Sequence, residues 1–216
     1  MSESPSQLHD LYEAILTGDA KTSVEITQSA LHAGVDPQRL INEHMIPAMD
    51  EAGRRFENNE YFVPELLIAA RAMKGALVLI RPLLAEQGVE PVGRIVIGTV
   101  KGDLHDIGKG LVASMLEGGG FEVIDLGVDV SASKFIEEAV RHRADIVAVS
   151  ALLTTTMVGM KDVVQALRES EIRDRCRIII GGAPVTQQFA DSIGADGYGS
   201  NANSAVTLAR TIVASV

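Results

Sequence analysis

One glycine-rich loop holds the residues best suited, by type and spacing, to do chemistry. It reads GTVKGDLHDIGKG from Gly98 to Gly110 and follows the short apolar run that starts at Arg94. Asp103 and His105 are one residue apart, and Gly108 comes three residues after the histidine. An imidazole is a good ligand for a transition metal. A carboxylate beside it can accept the other ring N–H, which fixes the tautomer and raises the basicity of the ligating nitrogen. The same loop would also serve simply to start a helix, with Asp103 or Asp106 as the cap. It is neither of the common phosphate-cradling loops. G-x-G-x-x-G is absent, Gly102 and Gly108 enclose five residues instead of four, and Gly110 follows Lys109 where a Ser or Thr is needed.

Two later loops add to this one. Ser150-Ala-Leu152 ends an apolar run and leads into Leu-Thr154-Thr-Thr156-Met, and another run ends in Gly181-Gly182-Ala-Pro. A glycine pair lets a flat or bulky group come close to the backbone, and it serves equally well in a tight turn. All three loops follow strands, so the elements that position them decide whether they meet.

Those elements change character near Gly88. Before it, apolar residues recur at helical spacing. Leu8, Leu11, Tyr12, Ile15 and Leu16 share one helix face, and Val24, Ile26, Ala30 and Leu31 suggest a second helix, capped by Asp19 and stopped by Gly34. A third helical segment runs from about Pro37 to Phe56, and a fourth follows Pro64 through Leu66, Leu67, Ala70, Met73, Leu77 and Ile80. Short links make these a helical bundle, domain 1–88. Ala85 to Gly93 reads as a linker. The second domain, 93–216, alternates strands near 94–99, 121–126, 145–150, 177–181 and 196–198 with helices near 107–117, 133–143, 158–169, 186–193 and 204–213. Buried strands separated by helices imply a doubly wound, five-stranded parallel sheet. Ligands bind such sheets beyond the carboxyl ends of the strands, where the three loops lie.

Composition removes several function classes. Nineteen basic against 29 acidic residues give a net charge of −10, which argues against nonspecific nucleic-acid binding and a polybasic membrane anchor. The single cysteine, Cys176, excludes an internal disulfide and a cysteine-cluster metal site. The longest uncharged stretch, Ile146 to Met160, is 15 residues with three consecutive threonines, too short to span a membrane. The polar, acidic N-terminus MSESPSQLHD is unlike a secretory signal, so a cytoplasmic location is expected.

With Asp103-Leu-His105-Asp-Ile-Gly108, then 41 residues, Ser150-Ala-Leu152, then 28 residues, and Gly181-Gly182, the chain resembles the cobalamin-binding domains of methionine synthase and of corrinoid methyl-carrier proteins. The resemblance implies a flavodoxin-like, cobalamin-binding sheet and methylcobalamin or a related corrinoid as cofactor. His105 would displace the cofactor's own benzimidazole and become the lower axial cobalt ligand. The benzimidazole tail would thread past Gly108, Ser150, Leu152 and the Gly181-Gly182 pair. Gly102, Leu104, Asp106, Ile107, Thr154 and Ala202 would be further cofactor contacts. Asp103 and Thr156 would form a proton relay, with Thr156 standing where the family has serine. Gly110 departs from the asparagine common there. Phe56-Glu-Asn-Asn-Glu-Tyr-Phe62-Val-Pro64-Glu-Leu66 resembles the signature of the family's four-helix cap, which implies that Met49, Phe56, Val63 and Leu66 point towards the bound methyl group. Filling a bundle core is the other role open to these four.

The function implied is that of a methyl carrier, not catalytic alone. It would be loaded by a substrate:corrinoid methyltransferase and unloaded by a second methyltransferase acting on tetrahydrofolate or coenzyme M, with a reductive activase as a further partner. No nucleic acid or membrane enters this reading. A cobalamin-dependent sensor or regulatory binding module is one alternative, and a cofactor-free or flavin-binding doubly wound module is another.

Overall fold

The computed structural model describes residues 5–215, and of residues 5–8 the backbone alone. The side chain of Leu8 and residues 1–4, on which part of the reading of the N-terminus rests, lie outside the described residues. Two compact units form, and the main division between them falls at Pro91 and Val92.

The first unit is helical: α1 (Pro5–Leu16), α2 (Ala20–His32), α3 (Pro37–Leu40), a π-helical turn (Ile41–Met45), α4 (Ile46–Glu57) and α5 (Val63–Glu86). The segment from α3 to α4 is the expected third helix, widened where Pro47 follows. Proline has no N–H to give to the carbonyl four residues back, and its ring crowds that carbonyl. The Ile46 N–H donates to Ile41 O, five residues back. Asp19 caps α2 as expected, accepting from the Thr22 N–H at 3.0 Å.

The second helix forms where expected, and small residues set its buried face. The buried stripe of α2 is Ser23, Thr27 and Ala30, while Val24, Ile26 and Leu31 are half-buried. Small side chains let α2 approach the alanine-rich face of α5, which buries Ala69, Ala72 and Ala76. The Ser23 hydroxyl donates across to the carbonyl of Ala72 at 3.1 Å, and the Thr27 hydroxyl donates to Ser23 O. One expectation needs correction, the start of the linker. Ala85 and Glu86 are the last residues of α5, so the non-helical connection starts at Gln87.

The second unit alternates strands and helices: β1 (Arg94–Thr99), α6 (Ile107–Gly118), β2 (Glu122–Asp125), α7 (Ala132–Arg141), β3 (Ile146–Ser150), α8 (Val158–Arg168), β4 (Arg177–Gly181), α9 (Gln187–Ile193), β5 (Gly197–Gly199) and α10 (Ala202–Ala214). All strands run parallel in the order β2-β1-β3-β4-β5. One face of the sheet packs Val96, Val147, Val149, Ile178 and Ile180 against Phe135 of α7 and Met160, Val163 and Leu167 of α8. The register sets Thr99 beside Ser150, Ser150 beside Gly181 and Gly181 beside Gly199. Four strands therefore end on one line, and the loops after them start level. The chain order reverses between β1 and β3, the place where open α/β sheets hold ligands.

Charge also ties the helical unit together. Glu51 of α4 takes the Nε–H groups of Arg54 and Arg55 at 2.7 and 2.8 Å. Arg55 passes the link to the Tyr61 hydroxyl, which donates to Leu16 O of α1. The bonds from Arg54 and then Arg55 hold the Glu51 carboxyl down to about 2, from an ordinary 4.5. A carboxyl lowered in the folded state adds stability above its unfolded value and loses it as pH falls through the folded one. Glu51→Gln should therefore lower the melting temperature at neutral pH and flatten its decline between pH 4.5 and about 2, as calorimetry across that range would record.

Candidate functional site

The site grows from the point where β1 stops. Thr99, fully buried, ends the strand and turns its hydroxyl onto the carbonyl of His105 at 2.9 Å. The loop between them folds back on itself, with the Asp103 N–H bonded to Val100 O. Gly102 takes φ +84° at the bend, a conformation that a side chain would disfavour. The Asp106 carbonyl accepts the first helical bond from the Gly110 N–H, so Asp106 holds the cap position of α6.

Asp103 does something else. Its carboxylate has no exposure to solvent. One oxygen accepts from His105 twice, from the ring Nδ1 at 2.7 Å and from the backbone N–H at 3.1 Å. The other oxygen takes the Thr156 hydroxyl at 2.6 Å, the Leu152 N–H at 2.8 Å and the Leu153 N–H at 3.3 Å. Burial by itself would raise this carboxyl, but the bonds from Thr156, Leu152 and His105 outweigh it and hold the group well below the usual carboxylate range. Asp103 is thus ionised and joins the loop after β1 to the loop after β3. An ionised carboxylate only accepts, so the His105 nitrogen that faces it carries a proton, and in the neutral ring Nε2 is the nitrogen with the lone pair. The ring itself is half exposed.

Around His105 the surface is apolar. Leu104 is 71% exposed and Ile107 81%, and Leu152, Leu153 and Val158 are exposed on the loop and helix after β3. A β-carbon at Gly108 or Gly110 would meet no atom within 4 Å. The room beside them is open, as a bound group of some size requires. Ser150 and Gly181 stand on the line of strand ends. Gly182 has φ +132°, and a β-carbon there would fall 1.9 Å from the Ala151 carbonyl oxygen, so the backbones pass too close for any other residue. Thr154 is exposed, and Ala202 is buried in the first turn of α10 after the edge strand β5. Hydrogen bonds bring Asp103, His105, Leu152 and Thr156 together. Of the residues expected from the helical unit, Met49 and Leu66 are buried, Phe56 is half-buried and Val63 is exposed. A half-exposed imidazole, an apolar rim and open space at two glycines fit a bound corrinoid.

Three supports were not expected from the sequence. Thr99 holds the His105 carbonyl. Lys109, almost wholly buried, ion-pairs with Asp125 at the end of β2. Asp129, on the loop after β2, accepts from the Gly102 N–H at 2.7 Å. The polar pair Asp125 and Asp129 in the run DLGVDV was the available signal, since it too follows a strand.

Residues 93–207 match the family described as the B12 binding domain, and residues 7–81 match a second B12 binding domain family. Trimethylamine corrinoid protein 1 of Methanosarcina acetivorans is 43% identical over 93% of this chain and 94% of its own length. The dimethylamine corrinoid protein of Methanosarcina barkeri is 40% identical over 96% and 97%. The crystal structure of the methanol:cobalamin methyltransferase complex MtaBC from Methanosarcina barkeri superposes with a TM-score of 0.85 at 29% identity, covering 99% of this chain and 82% of that one.

The Thr156 bond can be removed without changing shape. Thr156→Val deletes a hydrogen bond to a buried ion, an interaction that contributes about 1.5–3 kcal/mol. Denaturant unfolding of the cofactor-free protein should show a loss of that size, and Thr156→Ser should recover most of it.

Proposed function

The chain belongs to the B12-binding family of corrinoid proteins, and we propose that it carries a methyl group on a bound corrinoid from one methyltransferase to another. The observation behind this reading is the Asp103–His105 pair, which engages Nδ1 and keeps Nε2 as the other nitrogen of a half-exposed ring at the switch point of the sheet. When bound, a corrinoid supplies a cobalt that takes up a methyl group and gives it away.

The chain's own residues set the conditions. His105 would hold the cobalt through Nε2. Asp103 keeps the ring in one tautomer and one orientation, and Thr156 with the Leu152 N–H keeps Asp103 ionised. Leu104, Ile107, Leu152, Leu153 and Val158 offer an apolar seat, while Gly108, Ser150, Gly181 and Gly182 leave a path for the cofactor's tail. Residues 1–88 would serve as the cap, and Phe56, Met49, Val63 and Leu66 would shield the corrinoid from water.

This carrier has no catalytic role by itself. Its loading partner is a substrate:corrinoid methyltransferase, a pairing supported by the likeness to a chain of the methanol:cobalamin methyltransferase complex. Its acceptor is a second methyltransferase serving tetrahydrofolate or coenzyme M, and a reductive activase restores it after oxidation. The relatives are named as trimethylamine and dimethylamine corrinoid proteins, which supports a small methylated amine or alcohol as methyl donor. No helix among the described residues is long and apolar enough to cross a membrane, in keeping with a cytoplasmic carrier.

Reconstitution with hydroxocobalamin tests the ligand. In the reduced, paramagnetic state the wild type should show an axial nitrogen that responds to isotopic labelling of histidine. His105→Ala should lose that signal and bind the corrinoid more weakly, with its fold intact. An unchanged spectrum would remove His105 from the cobalt. A second measurement addresses the cap. Phe56→Ala should leave the melting temperature of the cofactor-free protein nearly unchanged and speed air oxidation of the reduced corrinoid. Equal destabilisation of both forms, with no change in oxidation, would return Phe56 to the bundle core.

A further inference from the structure

The loop that carries His105 is gripped from the side opposite to Thr156, and the residue that grips it is Asp129. This aspartate follows β2 and is exposed to solvent. Its backbone has φ +56°, left-handed and uncommon without glycine. Strain at an exposed position persists where the surroundings hold it, and here they do. The next residue, Val130, is buried, donates its N–H to Thr99 O at 2.9 Å and bridges to Val100. The Thr99 N–H in turn donates to Gly127 O at 3.0 Å. The turn after β2 is therefore fastened to the last residues of β1.

From that anchored position Asp129 makes two bonds to the functional loop. Its carboxylate accepts the Gly102 N–H at 2.7 Å, and its own N–H donates to the Asp103 carbonyl at 3.0 Å. The two bonds clasp the Gly102–Asp103 peptide from both ends. The side chain of Asp103 reaches the other way, to the loop after β3. Asp103 is thus suspended between two loops, and His105 hangs from it through Nδ1.

We propose that Asp129 is a positioning residue for His105: by clasping Gly102 and Asp103 it fixes how far the imidazole stands above the strand ends. The proposal rests on the reading of His105 as the axial ligand. An exposed hydrogen bond adds little to global stability. Its effect should lie in the placement of the ring, and partners that orient a metal-ligating histidine typically carry about 10–100-fold in affinity.

Three substitutions separate the acceptor from the strain. Asp129→Asn keeps an acceptor oxygen and tolerates the left-handed backbone. Asp129→Gly relieves the strain but has no acceptor, and Asp129→Ala loses both. In the cofactor-free protein, exchange of the Gly102 amide hydrogen should accelerate in the Gly and Ala variants and stay slow in Asn, with melting temperatures close to wild type. After loading with hydroxocobalamin and reduction, Gly and Ala should lose about 10–100-fold in corrinoid affinity and much of the histidine-derived nitrogen signal, while Asn retains both. The proposal is overturned if the Gly and Ala variants match the wild type in ligation and affinity while His105→Ala does not. It is also overturned if Gly restores what Ala loses, or if every loss follows a fall in melting temperature of the cofactor-free protein. Identical spectra for wild type and His105→Ala would instead defeat the assignment of the axial ligand, whatever Asp129 does.

Discussion

A carboxylate with no exposed surface is expensive to bury, and the fold accepts that expense at Asp103. Taking an ion out of water costs several kcal/mol unless hydrogen bonds replace the lost solvent. Asp103 receives five, from His105, Leu152, Leu153 and Thr156. Their donors come from two different loops, so the charge is satisfied only when β1 and β3 stand side by side with their ends level. The requirement runs in both directions. The parallel register makes the cluster possible, and the cluster fixes loops that would otherwise be free to wander. An apolar residue at the same place would leave the Leu152 and Leu153 N–H groups without the acceptor they have in Asp103 and the imidazole free to turn.

Most of the second unit is legible in the sequence because its strands are uninterrupted apolar runs, such as IIIG in β4 and IVAVS in β3, and each is followed by a turn. The spacing of Asp103, His105, Ser150 and the Gly181-Gly182 pair pointed to the loops that the sheet gathers at its carboxyl edge. What stayed hidden has a common physical form. Ser23 and Thr27 face the interior of the helical unit because a small hydroxyl can return its bond to a backbone carbonyl, and hydrophobicity alone does not pick out such residues. Asp129 acts through a backbone partner 27 residues away and Thr99 through one six residues on, across an irregular loop, and no periodic pattern announces such bonds. Lys109 is a charge in a core position, legible only once Asp125 is seen beside it.

The helical unit is held by a different balance. Its interior is built largely of alanine and methionine, with Ala48, Ala52, Ala69, Ala72 and Ala76 fully buried beside Met45, Met49 and Met73. Alanine brings helices close and gives up little side-chain freedom. Methionine is flexible and adjusts to irregular gaps. Such an interior tolerates small changes in packing more easily than one of interlocked aromatic rings. The π-helical turn before Pro47 adds a further local irregularity to the same unit.

The level line of strand ends has a consequence for how such a protein can change over time. Below the line, residues pair with neighbouring strands and are covered by helices, and a substitution there disturbs partners on both sides. Above it, each loop leaves its strand at the same height and returns by its own helix. A change of length or residue in one loop leaves the register of the others intact. The architecture therefore separates inheritance from adaptation: the sheet can be kept while the loops are rewritten for another ligand. Asp103 and Asp129 are the exceptions that show where the freedom stops. They tie the loops after β1, β2 and β3 into one unit, so these three can diverge only together.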